Sequence, residues 1–415
     1  MVTRLSMTLA VAGLLVALGG LLVAQNQPSL RAKVAPDPYT QEQPEALKKA
    51  GYESLGPFVF GTDHTSATVA ELLGTEPLRW IETAHFRIGC ALPALALKTD
   101  EAWRDDWIAG LRLELKRLAV RLPRVKPDVR ELDPWLRAHL FAQRAEELYA
   151  DVLANLGLQE FHFPVAADNP AEATKFRGLG PHLGMREKFT ILLVQKGASH
   201  ARYTRAYQGT EIAEPTRGHD FKFGAMYWGT SEETANGLFR HDYPLHSHFI
   251  FNLSHNLYTC YRSFSHEVPP WLVTGLAHWH SRRVTPRFPT FDRKDLKDKD
   301  QRSAFWEWDK RVEGLLRNGA FEPAEQLLSR TNAGSFGLEQ HMQSWALVDF
   351  LMTSHKAKTM QFLHTLKDPF HARRQAPTAT ELSLRQTDAL KTTLGWTAAE
   401  LDAAWRLAVL GKGKK

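Results

Sequence analysis

The chain predicts an α+β fold with helix in excess, on three observations. The run Phe189-Thr190-Ile191-Leu192-Leu193-Val194 is short, apolar and β-prone, which reads as a buried strand. Long stretches on both sides of it carry apolar residues at helical spacing. The last third has helical periodicity and little strand signal. The 415 residues allow two or three domains at ~150 residues each. With 43% apolar and 24% charged residues, the composition is that of an ordinary globular chain.

Taken in order, Arg4 precedes an apolar run over 5–24, expected to be a signal peptide or an uncleaved membrane anchor. The run exceeds the usual 7–15 residues of a signal-peptide core and approaches the ~20 that span a bilayer. Either reading makes the protein exported: periplasmic, extracellular or tethered to the membrane by its N-terminal segment. Residues 25–60 begin rich in Gln and Pro without periodicity and are expected to be a flexible tether. The region 61–186 is expected to hold short strands over 79–81 and 85–88, a helix over 101–122 and a longer one to residue 156. Asp133-Pro134 supplies the N-cap and first-turn proline of that longer helix. Gly178-Leu179-Gly180 lacks the preceding strand and following Lys-Ser/Thr pair of a phosphate loop.

The region 187–290 is expected to contain the strand at 189–194, a helix over 199–207 and further strands near 223–228 and 238–239. A helix pair follows, starting at Asp242 and at Trp271 and separated by Pro269-Pro270. Residues 291–415 are expected to form a helical C-terminal subdomain. The net charge of +6 comes from scattered residues with no basic stripe, which argues against nucleic-acid binding. Cys90 and Cys260 either form one disulfide, as an oxidising compartment permits, or remain buried thiols.

The stretch that bears on chemistry is Ser254-His255-Asn256-Leu257-Tyr258-Thr259, followed by Pro269-Pro270-Trp271-Leu272-Val273-Thr274-Gly275-Leu276-Ala277. It resembles the core of the gluzincin zinc metallopeptidases, in particular the peptidase-MA-like family of exported bacterial proteins. Gln343-Ser344-Trp345 with the apolar residues after it, and Leu394-Gly395-Trp396 through Trp405-Arg406, are similar to later helices of that family. The resemblance implies a small zincin-like sheet beside an active-site-type helix pair. In the family, a His-Glu-x-x-His helix supplies two zinc ligands and a general base, and a Glu of the next helix supplies the third ligand.

This chain departs from that pattern. His255 matches the first ligand. Asn256 stands at the general-base position, Thr259 at the second ligand and Thr274 at the third. An amide is not a base near neutral pH, and a Thr hydroxyl is a poor zinc ligand. The resemblance therefore implies a pseudopeptidase with no catalytic residues and no cofactor, holding a protein or peptide partner or serving a purely structural role in the envelope. His255 and His278 are expected to remain as a vestigial site, since His278 lies one turn beyond Thr274 on the same helix. The alternative is a metal-dependent hydrolase with an atypical zinc site built from His255, His266 and His278.

Overall fold

The computed structural model describes residues 33–97, 102–165, 176–291, 306–367 and 377–412. The expected signal peptide or anchor over 1–24 lies outside the described residues. Among them, no helix is long and apolar enough to cross a membrane.

The molecule is built on a six-stranded mixed sheet. Its strands are β1 (Tyr52–Ser54), β4 (Arg79–Thr83), β5 (Phe86–Cys90), β8 (Phe189–Val194), β9 (Thr216–Asp220) and β10 (Ala225–Ser231), in the order β1-β4-β5-β8-β10-β9. The pairs β5–β8 and β8–β10 are parallel, and the outer pairs are antiparallel. Two small two-stranded sheets, β2 (Val59–Gly61) with β3 (His64–Thr65) and β6 (Leu95–Ala96) with β7 (Glu131–Leu132), lie outside it.

Central β8 is buried throughout, which explains its unbroken apolar sequence. Successive strand residues point to opposite faces. Phe189, Ile191 and Leu193 therefore join the main core, while Leu192 and Val194 join a second core with Phe60, Trp80 and Tyr203. The main-core face is covered by α4 (Pro134–Leu156) and α6 (Asp242–Cys260). The other face is covered by α2 (Ser66–Leu72) and by α5 (Gly197–Gln208), which forms the crossover between β8 and β10. The N-cap read from Asp133 is present: its carboxylate accepts from the Trp135 and Leu136 amides at the start of α4.

Helix α7 (Pro270–Val284) pairs with α6 and is clamped on its far side by α10 (Leu338–Ser354). Gly275 permits that clamp, because a Cβ there would sit 2.5 Å from the Ser344 carbonyl oxygen and 2.4 Å from Val348 Cγ2. Trp271, wholly buried, donates through Nε1 to Gln386 Oε1 at 2.7 Å. That bond ties the helix pair to α12 (Ala379–Thr393) in the C-terminal helices, which also include α8 (Trp308–Arg317), α9 (Ala324–Ser329), α11 (Lys356–Leu366) and α13 (Ala398–Lys412). The helix-rich α+β class is as expected. Helix α3 (Ala102–Arg121) packs on α4.

Two expectations need correction, and two further observations fix what the sequence left open. Residues 33–60 are folded: α1 (Pro44–Ala50) leads into β1, and Asp37, 1% exposed, accepts from His139 of α4. That buried polar anchor is invisible in a Pro- and Gln-rich composition. Residues 61–186 and 187–290 are not separate bodies, since β4 and β5 share one sheet with β8, β9 and β10. Leu238-Phe239 starts a 3₁₀ turn, Leu238–Arg240, and the edge strand is β9, which the sequence did not announce. Cys90 and Cys260 are both free, buried thiols. Cys90 lies on β5 among Arg79, Arg137 and Glu232, whereas Cys260 ends α6 near Lys367 and donates to the Leu257 carbonyl.

Candidate functional site

Edge strand β9 and the first half of α6 border a cleft of about 860 Å³, within the size range of ligand sites. The segment after β10 and the loop after α7, residues 287–291, complete its walls. Residues paired across β9 and β10 share a face, so Arg217 and His219 point with Trp228 and Met226 toward α6. Trp228 packs edge-on against Phe249 of that helix, at 5.5 Å between ring centroids.

A hydrogen-bonded line of side chains crosses the cleft. Arg217 Nη1 donates to Asn252 Oδ1 at 2.8 Å. The Asn252 amide in turn lies 3.1 Å from His248 Nε2 and donates to the His248 carbonyl at 2.9 Å. The His248 ring is held between Phe239, 4.5 Å away, and Trp228, 5.7 Å away. The arrangement orients a guanidinium, an amide and an imidazole on one wall, with Phe288 and Phe291 on another. Such a site suits recognition through hydrogen bonds and apolar contact.

The positions singled out by motif lie further along the helices, and none of them lines this cleft. Asn256, 1% exposed, donates its amide to the Tyr227 carbonyl of β10 at 3.1 Å. A carboxylate in the same orientation would set its lone pairs against that carbonyl, so the amide suits the place and a general base does not. Its Oδ1 has no hydrogen-bond partner among the described residues. The Thr274 hydroxyl, likewise 1% exposed, has none among them either. His255 and Thr259 are half-buried, with His255 Nδ1 3.4 Å from the Thr259 hydroxyl. The Thr259 carbonyl accepts from Lys367 Nζ, which also reaches the Ser263 carbonyl and the Ser265 hydroxyl. Burial pushes the Lys367 ammonium down to about 8.

His278 faces the C-terminal helices. Its Nε2 is 3.0 Å from Nδ1 of His341 on α10, and Phe251, Phe291 and Trp308 surround its ring. His266 sits edge-on to Phe264 at 5.0 Å, and burial lowers its pKa. His255, His266 and His278 are not brought into one ligand group. Among the described residues, no group of three or more His, Cys, Asp or Glu side chains is placed to hold a metal ion.

Sequence reasoning missed Arg217, His341 and Asn252. Only the proximity of Asn252 to His248, four residues apart on one helix, was there to be read. No protein-family model, curated protein or solved structure matches the chain.

Proposed function

We propose that the chain is a non-catalytic, metallopeptidase-like binding protein of the cell envelope, which holds a protein or peptide segment in the cleft between β9 and α6. One observation carries the reading. The amide at the general-base position is buried and bonded to the sheet, while the open volume lies beside Arg217, Asn252 and His248, at least one helical turn away. The Thr259 and Thr274 substitutions support it, since neither hydroxyl supplies the ligand a catalytic zinc requires. Export follows from the apolar segment over 5–24 and belongs to the same proposal.

The test is selection of displayed peptides on the full chain, followed by titration calorimetry on the peptides recovered. Arg217→Ala should weaken the selected peptides about tenfold or more, the usual effect of losing a hydrogen bond to a charged group. Peptides that bind Arg217→Ala as tightly as the unaltered chain would contradict the assignment to this cleft. Metal-dependent cleavage of the selected peptides would contradict the non-catalytic reading and favour a hydrolase.

A further inference from the structure

On the sheet face opposite α6 there is a second cavity, of about 370 Å³. It lies between the β2–β3 hairpin, the end of α5 and the β9–β10 hairpin, and its walls are largely aromatic: Phe60, Tyr203, Tyr207 and Tyr227. His64 stacks flat on Tyr207, with ring centroids 3.9 Å apart and planes 19° apart, and its Nε2 lies 3.2 Å from the Tyr203 hydroxyl. Tyr227 lies across β9 at Gly218, where a Cβ would come within 2.5 Å of the tyrosine hydroxyl. A glycine there lets the ring lie flat along the sheet.

The cavity's charges are already compensated. The Asp220 carboxylate accepts from the Thr62 amide and hydroxyl and from the Lys222 and Phe223 amides. At the rim, Asp63 pairs with Lys222 at 3.4 Å, both exposed. Burial lowers the His64 pKa to about 4, so its ring is neutral at physiological pH. By contrast, the hydroxyls of Tyr207 and Tyr227 and the Gln208 amide form no hydrogen bond to another described residue.

A ligand for this cavity needs a flat apolar face for the rings, neutral donors and acceptors at its edge, and no net charge. A quaternary ammonium could lie on the rings but carries no donor or acceptor for the tyrosine hydroxyls and the Gln208 amide, and a wholly apolar molecule would leave them unmatched as well. We infer that this aromatic cavity is a carbohydrate subsite that takes a neutral hexopyranose, stacking its C–H face on the tyrosines and bonding its hydroxyls to Gln208, Tyr207 and Tyr227. Gln208 and Tyr227 also line the larger cleft, so a sugar here would adjoin whatever that cleft holds. The inference does not depend on the larger cleft's occupant.

The experiment is saturation-transfer NMR on the full chain with glucose, galactose and N-acetylglucosamine, repeated on Tyr207→Ala and Gln208→Ala after a melting curve. At least one sugar should receive saturation from the unaltered protein. Its affinity should fall about tenfold in Tyr207→Ala, as expected for loss of an aromatic contact, and measurably in Gln208→Ala. Gln208 is a half-buried residue in the last turn of α5, so its variant keeps the test decisive if Tyr207→Ala does not fold. No transfer to any of the three sugars, or transfer undiminished in both folded variants, overturns the inference.

Discussion

Replacing Asp242 by Ala tests how α6 is held at its N-terminal end. Asp242 is fully buried, and Arg144 of α4, 3% exposed, grips it with Nη1–Oδ1 and Nη2–Oδ2 bonds of 2.8 Å each. Trp107 Nε1 donates to the same carboxylate at 3.4 Å. Burial alone would raise the Asp242 pKa, but the Arg144 guanidinium outweighs it and holds the carboxyl well below the usual range. Removing one partner of a buried pair leaves the other charge uncompensated and costs ~3–5 kcal/mol. Glu114, bonded to Arg144 Nε at 2.9 Å, still supplies one counter-charge, which places the expected loss near ~3 kcal/mol. That is a large share of the ~5–15 kcal/mol that holds a domain folded. Urea unfolding should show the midpoint shift at unchanged slope. The double variant Arg144→Met/Asp242→Leu should recover more than half of the loss, because no unpaired charge remains at either position and burial already biases Glu114 toward its neutral form. For the unaltered protein, the Asp242 contribution is present above ~pH 4 and is lost as pH falls below it. A loss under ~1 kcal/mol in Asp242→Ala, or a double variant no better than the single, would refute the reasoning.

His85 stacks on Tyr149 and meets Glu146 at 2.7 Å and Glu160 at 3.2 Å. Burial opposes its charge, but the hydrogen bonds to the two carboxylates prevail and raise its pKa to about 9. Its stabilisation is therefore complete below ~pH 6.5 and disappears as pH rises through about 9, so His85→Leu should flatten the stability profile between those limits by ~3 kcal/mol in urea titrations. Gly275→Ala should cost ~1–3 kcal/mol by pushing α7 off α10, read as a lower melting temperature. Cys90 and Cys260, both buried with thiol pKa values pushed up by burial, should resist thiol reagents in the folded protein and react on unfolding.

What the sequence made legible was what local physics decides. The Asp133-Pro134 start, the apolar run of β8 and the Pro-Pro break between α6 and α7 all lie where neighbours in sequence determine the outcome. Strand β9 escaped notice because Thr-Arg-Gly-His-Asp is polar and half-buried throughout, as an edge strand is free to be. The segment over 33–60 escaped because its fixing contacts, such as Trp135 Nε1 to the Ala35 carbonyl, are a hundred residues distant in the chain. The open cleft lies next to the motif positions instead of at them. Its wall joins Arg217 of a strand to Asn252 of a helix, a pairing set only by tertiary packing. His278 is expected from the resemblance to share a vestigial site with His255. It turns instead to His341, a partner that no spacing rule reveals.

The proposed reading holds that the motif positions carry no metallopeptidase chemistry. It is tested most directly by zinc stoichiometry on the purified full chain after dialysis against a mild chelator, measured beside the variant Thr259→His/Thr274→Glu. The account predicts no retained zinc in the unaltered chain. It predicts about one zinc per chain in that variant, where His255 gains the two further ligands a zinc site needs. About one zinc per chain in the unaltered protein, lost on His255→Ala, would contradict the account and establish a metal site of a different design.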